Sequence, residues 1–226
     1  MFGLDNQIAS LSSGATFAIV CLVAVALGLR HATDPDHLTA VTTLVAGDDD
    51  AGTKRARRLG LAWGAGHATS LFVFGVPIVL SAAYLPEGVQ MAAEAAVGVM
   101  IIVLAARLLL RWWHGELGHR HPGTRGRTRL QAYGIGLVHG MGGSAGVGLL
   151  LLARIHNHTE ALAALTLFAF CTAISMALAS TSLGFVLSRE SVAARYLTIA
   201  PVLGAASLAF GAWYALGAIH AVPYAL

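Results

Sequence analysis

Apolar stretches long enough to cross a lipid bilayer recur along this chain. They lie at about 14–46, 59–84, 89–112, 130–153, 161–187 and 197–219. A helix needs roughly 20 consecutive apolar residues to cross the hydrocarbon core. Only 11% of the residues are charged, against roughly 25% in an average soluble protein, which is too few to cover a globule in water. We therefore predict an all-α integral membrane protein, a single transmembrane domain over residues 1–226 with about six transmembrane helices.

The basic residues are concentrated in the first, third and fifth connecting loops. The third loop, at 113–129, is rich in both His and Arg. Loops with an excess of Lys and Arg face the cytoplasm, and in a six-helix chain these three loops share one side. We predict a multi-pass protein of the cytoplasmic membrane with both termini outside. We interpret the net charge of +3 as a topology signal and expect no nucleic-acid partner.

A weak internal repeat relates the two halves of the chain. The sequence GLRH at 28–31 aligns with GLVH at 136–139, and the same offset aligns the helix around His67 with the helix around Ser175. Three helices in each half would leave the halves inverted relative to each other, a known transporter plan. The hypothesis is a 3+3 inverted repeat. Its halves would be 14–112 and 130–219.

The first apolar stretch is too long for one straight transmembrane helix. From residue 14 to residue 46 it would measure roughly 48 Å, far more than the roughly 30 Å of the hydrocarbon core. Pro35 lies in its middle, disfavours helical geometry at Asp34 and removes a backbone donor. Asp34 followed by proline is also typical of an N-cap and first helical position. We predict that the first span is broken there.

A break would let ionisable side chains on either side of it converge. On an unbroken helix His31 and His37 would point about 120° apart, whereas a break lets both approach Asp36. Two imidazoles and a carboxylate suit Ni²⁺, Co²⁺, Zn²⁺ or Cu²⁺, while Mg²⁺ and Ca²⁺ prefer oxygen ligands. The alternative is a polar kink or a solvated loop. Because ionisable groups at membrane depth are costly and usually mark a pathway, we favour a metal site.

Three motifs resemble those of known permeases. RHATDPDHL at 30–38 resembles the His-x₄-Asp-His signature of the nickel/cobalt permease family, with His31, Asp36 and His37 at the signature positions. GHATS at 66–70 is similar to the Gly-His-Ser-Thr segment that follows in that family. LVHGMGGS is similar to a segment of the smaller, urease-accessory type of nickel permease. Pro35 replaces the small residue expected there.

The resemblance implies transport rather than catalysis. It implies Ni²⁺ or Co²⁺ as the transported substrate, no permanent cofactor and no enzymatic activity. Larger family members have eight spans and carry the signature in the second span. Loss of their first helix would put the signature in span one, running from outside to inside, which agrees with the orientation predicted from the loop charges.

Further polar residues are candidates for the same site. We predict His67 as a further metal ligand, because nearby glycines let another helix approach it closely. Asp34, His139 and Ser175 are expected beside the site or along the pathway, with simple helix packing as the alternative for His139 and Ser175. For the histidines in the loops we favour a solvated surface position over a role in collecting metal. These are His114, His119, His121, His156 and His158.

The predicted function is inward transport of a divalent metal ion driven by the membrane potential. The partners are the ion and the lipid bilayer, and a homo-oligomer is left open. One alternative is a membrane thiol-redox protein using Cys21 and Cys171, although neither cysteine has a second one nearby. A haem-binding protein and a metal efflux permease are further alternatives, and efflux would use the same residues as uptake.

Overall fold

The computed structural model of the protein describes residues 17–46, 52–81, 86–117, 127–142, 152, 155 and 157–222. Within them lie eight helices, α1 (Phe17–His31), α2 (Pro35–Ala46), α3 (Thr53–Ser81), α4 (Glu87–Trp113), α5 (Arg129–His139), α6 (His158–Leu187), α7 (Glu190–Ala193) and α8 (Tyr196–Ala218). None of the described residues lies in a strand, and the predicted all-α fold is confirmed.

Four of these helices, α3, α4, α6 and α8, are long and apolar enough to cross a membrane. Helices α1 and α2 meet the same criterion only as a pair, which is bent by 47°. The described part of the chain therefore has four membrane-capable helices, or five when the bent pair counts as one span. Of the stretch predicted at 130–153, α5 covers the beginning, and residues 143–151 lie outside the described residues.

The predicted break in the first span is confirmed, and the backbone shows how it forms. Helix α1 ends at His31, whose carbonyl oxygen accepts a hydrogen bond from the Asp34 amide across a turn (3.2 Å). Helix α2 begins at Pro35, where the missing amide proton is harmless because the first helical turn has no intrahelical acceptor for it. The Leu38 amide then donates to the Asp34 carbonyl oxygen (2.9 Å) and closes the first turn of α2.

Two long helix pairs form the body of the bundle. Helix α3 packs along α6, and α4 packs along α8. The shorter helices α1 and α5 pack on the first of these pairs, α1 on α6 and α5 on α3. Helix α2 contacts α4, α6 and α8 and lies in the interior, where Ala40, Leu44 and Ala46 are fully buried. The second half of the broken span is thus surrounded by protein.

Many large apolar side chains lie on the outer surface of the bundle. Leu22, Phe170 and Val202 are each more than 60% exposed, whereas the most deeply buried positions include several polar side chains. This arrangement would be costly in water and is favourable in lipid, where apolar side chains face the hydrocarbon and polar groups are satisfied inside the protein. Composition and structure agree on a membrane protein.

One end of the bundle gathers contacts around the C-terminus of α2. Arg127 donates hydrogen bonds to the carbonyl oxygens of Thr43 and Leu44, both at 3.2 Å. The Tyr196 hydroxyl donates to the carbonyl oxygen of Ala46. These donors satisfy helix-end carbonyls that have no intrahelical partner. The segment before α5 and the start of α8 therefore lie at the same end of the bundle as the end of α2.

Candidate metal centre

The break in the first span brings its ionisable side chains together. His31 is the last residue of α1, and Asp36 and His37 lie in the first turn of α2. The ring centroids of His31 and His37 are 4.3 Å apart, and His37 Nδ1 lies 3.1 Å from Asp36 Oδ1. The short turn between the helices thus places two imidazoles side by side next to a carboxylate.

Helix α3 contributes His67 from its middle. The Nε2 atoms of His67 and His31 are 3.0 Å apart, and the ring centroids of His67 and His37 are 5.2 Å apart. Two ring nitrogens at this distance share a hydrogen bond when one carries the proton. When both are unprotonated they present two lone pairs to the same small volume, which is what a metal ion needs.

Helix α5 contributes His139, its last residue. His139 Nε2 lies 3.2 Å from Asp36 Oδ2, and its ring centroid is 4.1 Å from that of His37. Asp36 therefore meets an imidazole at each of its two oxygen atoms. The sequence indicated His139 only as a residue beside the site or along the pathway, whereas the structure places it in direct contact with the signature carboxylate.

The cluster is buried and contains donor atoms without partners. Asp36 and the four histidines are at most 3% exposed. His37 Nε2, His67 Nδ1 and His139 Nδ1 have no hydrogen-bond partner, although buried polar atoms in proteins are ordinarily paired. Leaving a buried imidazole nitrogen unpaired is costly. A cation bound in the cluster would satisfy His37 Nε2, whereas His67 and His139 contact the other members of the cluster through Nε2 and not through their unpaired Nδ1 atoms.

The donor atoms form two groups rather than one. His31, His37 and His67 each offer one ligand atom within 4.8 Å of the others, and so do Asp36, His37 and His139. The four residues predicted as ligands from the sequence are thus divided between the two groups. His37 is common to both, and His139 completes the second.

Asp34 lies at the edge of the first group. Its carboxylate oxygens are 3.3 Å from a terminal nitrogen of Arg30 and 3.5 Å from His31 Nδ1. A carboxylate beside one ring nitrogen of a histidine orients the ring and directs the other nitrogen toward a metal. Here it leaves His31 Nε2 facing His67. Asp34 is therefore placed to orient His31, with the Arg30 guanidinium offsetting its charge.

Ser175 is placed in a helix contact. Its hydroxyl donates to the carbonyl oxygens of Gly28 and Thr172, both at 3.0 Å. The first of these bonds joins α6 to the end of α1 and so holds the helix that carries His31. This geometry fits the packing interpretation of Ser175 better than a pathway role.

The loop histidines fall outside the cluster or outside the described residues. His114 follows the end of α4 and His158 begins α6, and both are exposed. His119, His121 and His156 lie outside the described residues.

Two aromatic residues at the cluster were not identified from the sequence. Trp63 has its ring centroid 5.9 Å from that of His37 and 5.6 Å from that of His139, and Phe168 lies 5.6 Å from His31. Both are buried. Trp63 precedes His67 by four residues, the spacing that puts two side chains on one helix face, and this was the available signal. These rings exclude water and so strengthen electrostatic interactions in the cluster.

Comparison with known proteins gives one informative relative. No protein-family profile and no solved structure matches the chain. The chain is 30% identical over 200 residues to the urease accessory protein UreH of Bacillus sp. (strain TB-90), an alignment that covers 83% of this chain and 86% of the relative. Because this similarity extends over most of both chains, the protein belongs to the same family as UreH, the nickel/cobalt permease family that its histidine signature predicts.

Proposed function

We propose that the protein carries a divalent transition-metal ion, nickel or cobalt, inward across the cytoplasmic membrane. The observation that carries the proposal is the buried cluster of four imidazoles and one carboxylate at a helix break, in which His37 Nε2 lacks a partner. Irregular backbone within a membrane protein is tolerated where it lines a cavity or a binding site. In transporters such breaks mark the substrate site.

The donor atoms favour a transition metal over the abundant hard cations. Imidazole nitrogen combined with carboxylate oxygen suits Ni²⁺ and Co²⁺, whereas Mg²⁺ and Ca²⁺ select oxygen ligands and retain more water. The same donors also bind Zn²⁺ and Cu²⁺, so the choice of nickel or cobalt rests on the family. Asp36 supplies a negative charge that partly compensates the ion in a buried site.

The membrane potential is sufficient to drive uptake. A potential of 100 mV, negative inside, stabilises each positive charge on the inner side by roughly 2.3 kcal/mol, or about 4.6 kcal/mol for a divalent ion. Since about 1.4 kcal/mol corresponds to a tenfold ratio, this supports an inward gradient on the order of a thousandfold. Such a gradient requires no nucleotide hydrolysis.

The proposed architecture is six spans arranged as a 3+3 inverted repeat, with α5 as the first part of the fourth span. The helix packing supports it, because the short helix of each half packs on a long helix of the other half: α1 packs on α6, and α5 packs on α3. An axis that exchanges the halves would map α3 onto α6 and α4 onto α8, and these are the two long helix pairs. The proposed orientation has the basic loops in the cytoplasm and both termini outside.

Uptake of radioactive nickel and cobalt into membrane vesicles tests the function. We expect the wild-type protein to accumulate the ion, and His31→Ala and His37→Ala to abolish accumulation at matched abundance, since each removes a donor from the cluster. His220→Asn removes an imidazole that is 70% exposed at a position with φ 58°, a conformation that Asn accepts. This variant is one control. A second control, Ser207→Ala, removes a buried polar group from α8.

Both control variants should take up the ion at the wild-type rate. Vesicles containing wild-type protein that accumulate neither ion would refute the proposed function. A His31→Ala protein that transports normally would refute the proposed site.

A further inference from the structure

His37 occupies a special position because it belongs to both donor groups. The first group is completed by His31 from α1 and His67 from α3, and the second by Asp36 and by His139 from α5. The first offers three imidazoles, whereas the second offers two imidazoles and a carboxylate. The groups therefore differ in charge as well as in the helices that hold them.

The two ring nitrogens of His37 face different surroundings. Nδ1 is 3.1 Å from Asp36 Oδ1, and Nε2 has no hydrogen-bond partner. A neutral imidazole has one nitrogen that carries a proton and one that offers a lone pair. His37 can therefore ligate through one nitrogen at a time, and it serves the other group only after a change of tautomer or a rotation of its ring.

Each group also contains a histidine at the C-terminal end of a helix. His31 is the last residue of α1, and His139 is the last residue of α5. The C-terminal end of a helix carries a partial negative charge of about half an elementary charge, which stabilises nearby cations. In transporters with broken helices such ends help to coordinate the cation. These ends favour a cation in both groups and oppose the positive N-terminal end of α2, where Asp36 and His37 lie.

We propose that the cluster provides two alternating positions for a single metal ion, with His37 as the ligand common to both. The inference rests on the proposed transport function and specifies how the ion moves within the site. The first position is formed by His31, His37 and His67, and the second by Asp36, His37 and His139. Moving between the positions exchanges two of the three ligands, and His37 binds the ion again once its ring has turned or its tautomer has changed. Passage through a membrane protein requires sites that bind the ion and also release it.

The competing arrangement is a single position formed by the three imidazoles. In it Asp36 only orients the His37 ring, and His139 only holds Asp36 in place. A carboxylate beside the far nitrogen of a metal-binding histidine is a common brace, so the contact between Asp36 and His37 fits both arrangements. The two differ in what His139 does. In one it binds the ion, and in the other it only holds Asp36 in place.

The experiment measures Ni²⁺ binding to purified protein by equilibrium dialysis and, in parallel, nickel uptake into vesicles. The variants are His67→Ala, which damages only the first position, His139→Ala, which damages only the second, and His37→Ala, which damages both. His220→Asn is the matched control. Absorption spectra with Co²⁺ in place of Ni²⁺ report the donor set, because the ligand field depends on how many nitrogens bind.

Two alternating positions predict that wild-type protein binds one ion. His67→Ala and His139→Ala should each still bind one ion at the position that remains, with association constants that together sum to about the wild-type value, and with Co²⁺ spectra that differ from each other. Neither should transport, because each lacks one of the two positions. His37→Ala should bind no ion, and His220→Asn should match the wild type in both assays.

His139→Gln makes the comparison independent of folding effects of the alanine variants. Its amide can still donate a hydrogen bond to Asp36, but it is a poor ligand for a transition metal. We expect His139→Gln to fail in transport. Normal transport by His139→Gln would show that His139 is only a brace and would overturn the proposal, as would loss of all binding in His67→Ala or two ions bound at once by the wild type.

The outcomes also separate this inference from the proposed function. Wild-type vesicles that accumulate no nickel refute transport itself, whatever the binding series gives. Wild-type vesicles that accumulate nickel, combined with normal transport by His139→Gln, refute only the second position.

Discussion

Gly136 is a point of close approach between α5 and α3, and it tests whether helix packing sets the geometry of the cluster. A Cβ atom at Gly136 would lie 2.8 Å from the His67 amide nitrogen, and the Trp63 carbonyl oxygen is closer still. Ordinary contact begins at 3.4 Å. Gly136→Ala therefore has to move α5 away from α3 by more than about 0.6 Å, because the neighbouring atoms belong to the rigid backbone of a packed helix.

This movement should separate His139 from its partner. His139 follows Gly136 by three residues on the same helix, and its Nε2 lies 3.2 Å from Asp36 Oδ2. A displacement of this size is large compared with the length range of a hydrogen bond and exceeds the roughly 0.2 Å tolerance of metal–ligand distances. We expect nickel uptake to fall roughly 10–100-fold, the usual cost of disturbing groups that orient metal ligands. Alanine favours the helix by about 0.5–1 kcal/mol over glycine, so the loss would not come from a weaker helix.

Uptake of radioactive nickel into vesicles at matched protein abundance measures the effect. Gly134→Ala is the control, because it lies on the same helix and a Cβ there would meet no atom within 4 Å. It should transport like the wild type. Equal, normal uptake by both variants would refute the reasoning, since it would mean that the spacing of α5 and α3 does not hold His139 in place.

Three further predictions address the rival functions, the break and the topology. Cys21 and Cys171 are free cysteines outside both donor groups. The double Cys→Ser variant should keep nickel uptake within about twofold of wild type, because small polar residues are tolerated in membrane helices. Loss of uptake at normal protein abundance would favour thiol chemistry. Pro35→Ala should reduce uptake less than either signature-histidine variant, because the interior contacts of α2 also hold the bend; the reverse order would favour a mere kink. In a cysteine-free background, a membrane-impermeant thiol reagent should label Glu87→Cys and not Glu190→Cys in intact cells, and the opposite labelling would invert the proposed topology.

The sequence alone was sufficient for those features that depend on local chemistry. The break at Pro35 follows from the steric restriction that proline imposes on Asp34, and the structure bends the span at this point. The membrane-spanning helices follow from apolar length, which needs no knowledge of neighbours. The signature residues His31, Asp36 and His37 were recognisable because they are close in sequence and only a local turn is needed to bring them together.

The tertiary structure was needed for contacts between distant segments. His139 reaches Asp36 across 103 residues, and the periodicity of α5 indicates only which way its side chains point around the helix axis, not which helix it faces. That partner is chosen by the close approach of glycine backbones, as at Gly66 and Gly136 on α3 and α5. The position of the Trp63 ring beside the cluster and the division of the donors into two groups follow from this packing. Ligand geometry depends on ångström-scale separations between helices, which the sequence of one helix does not determine.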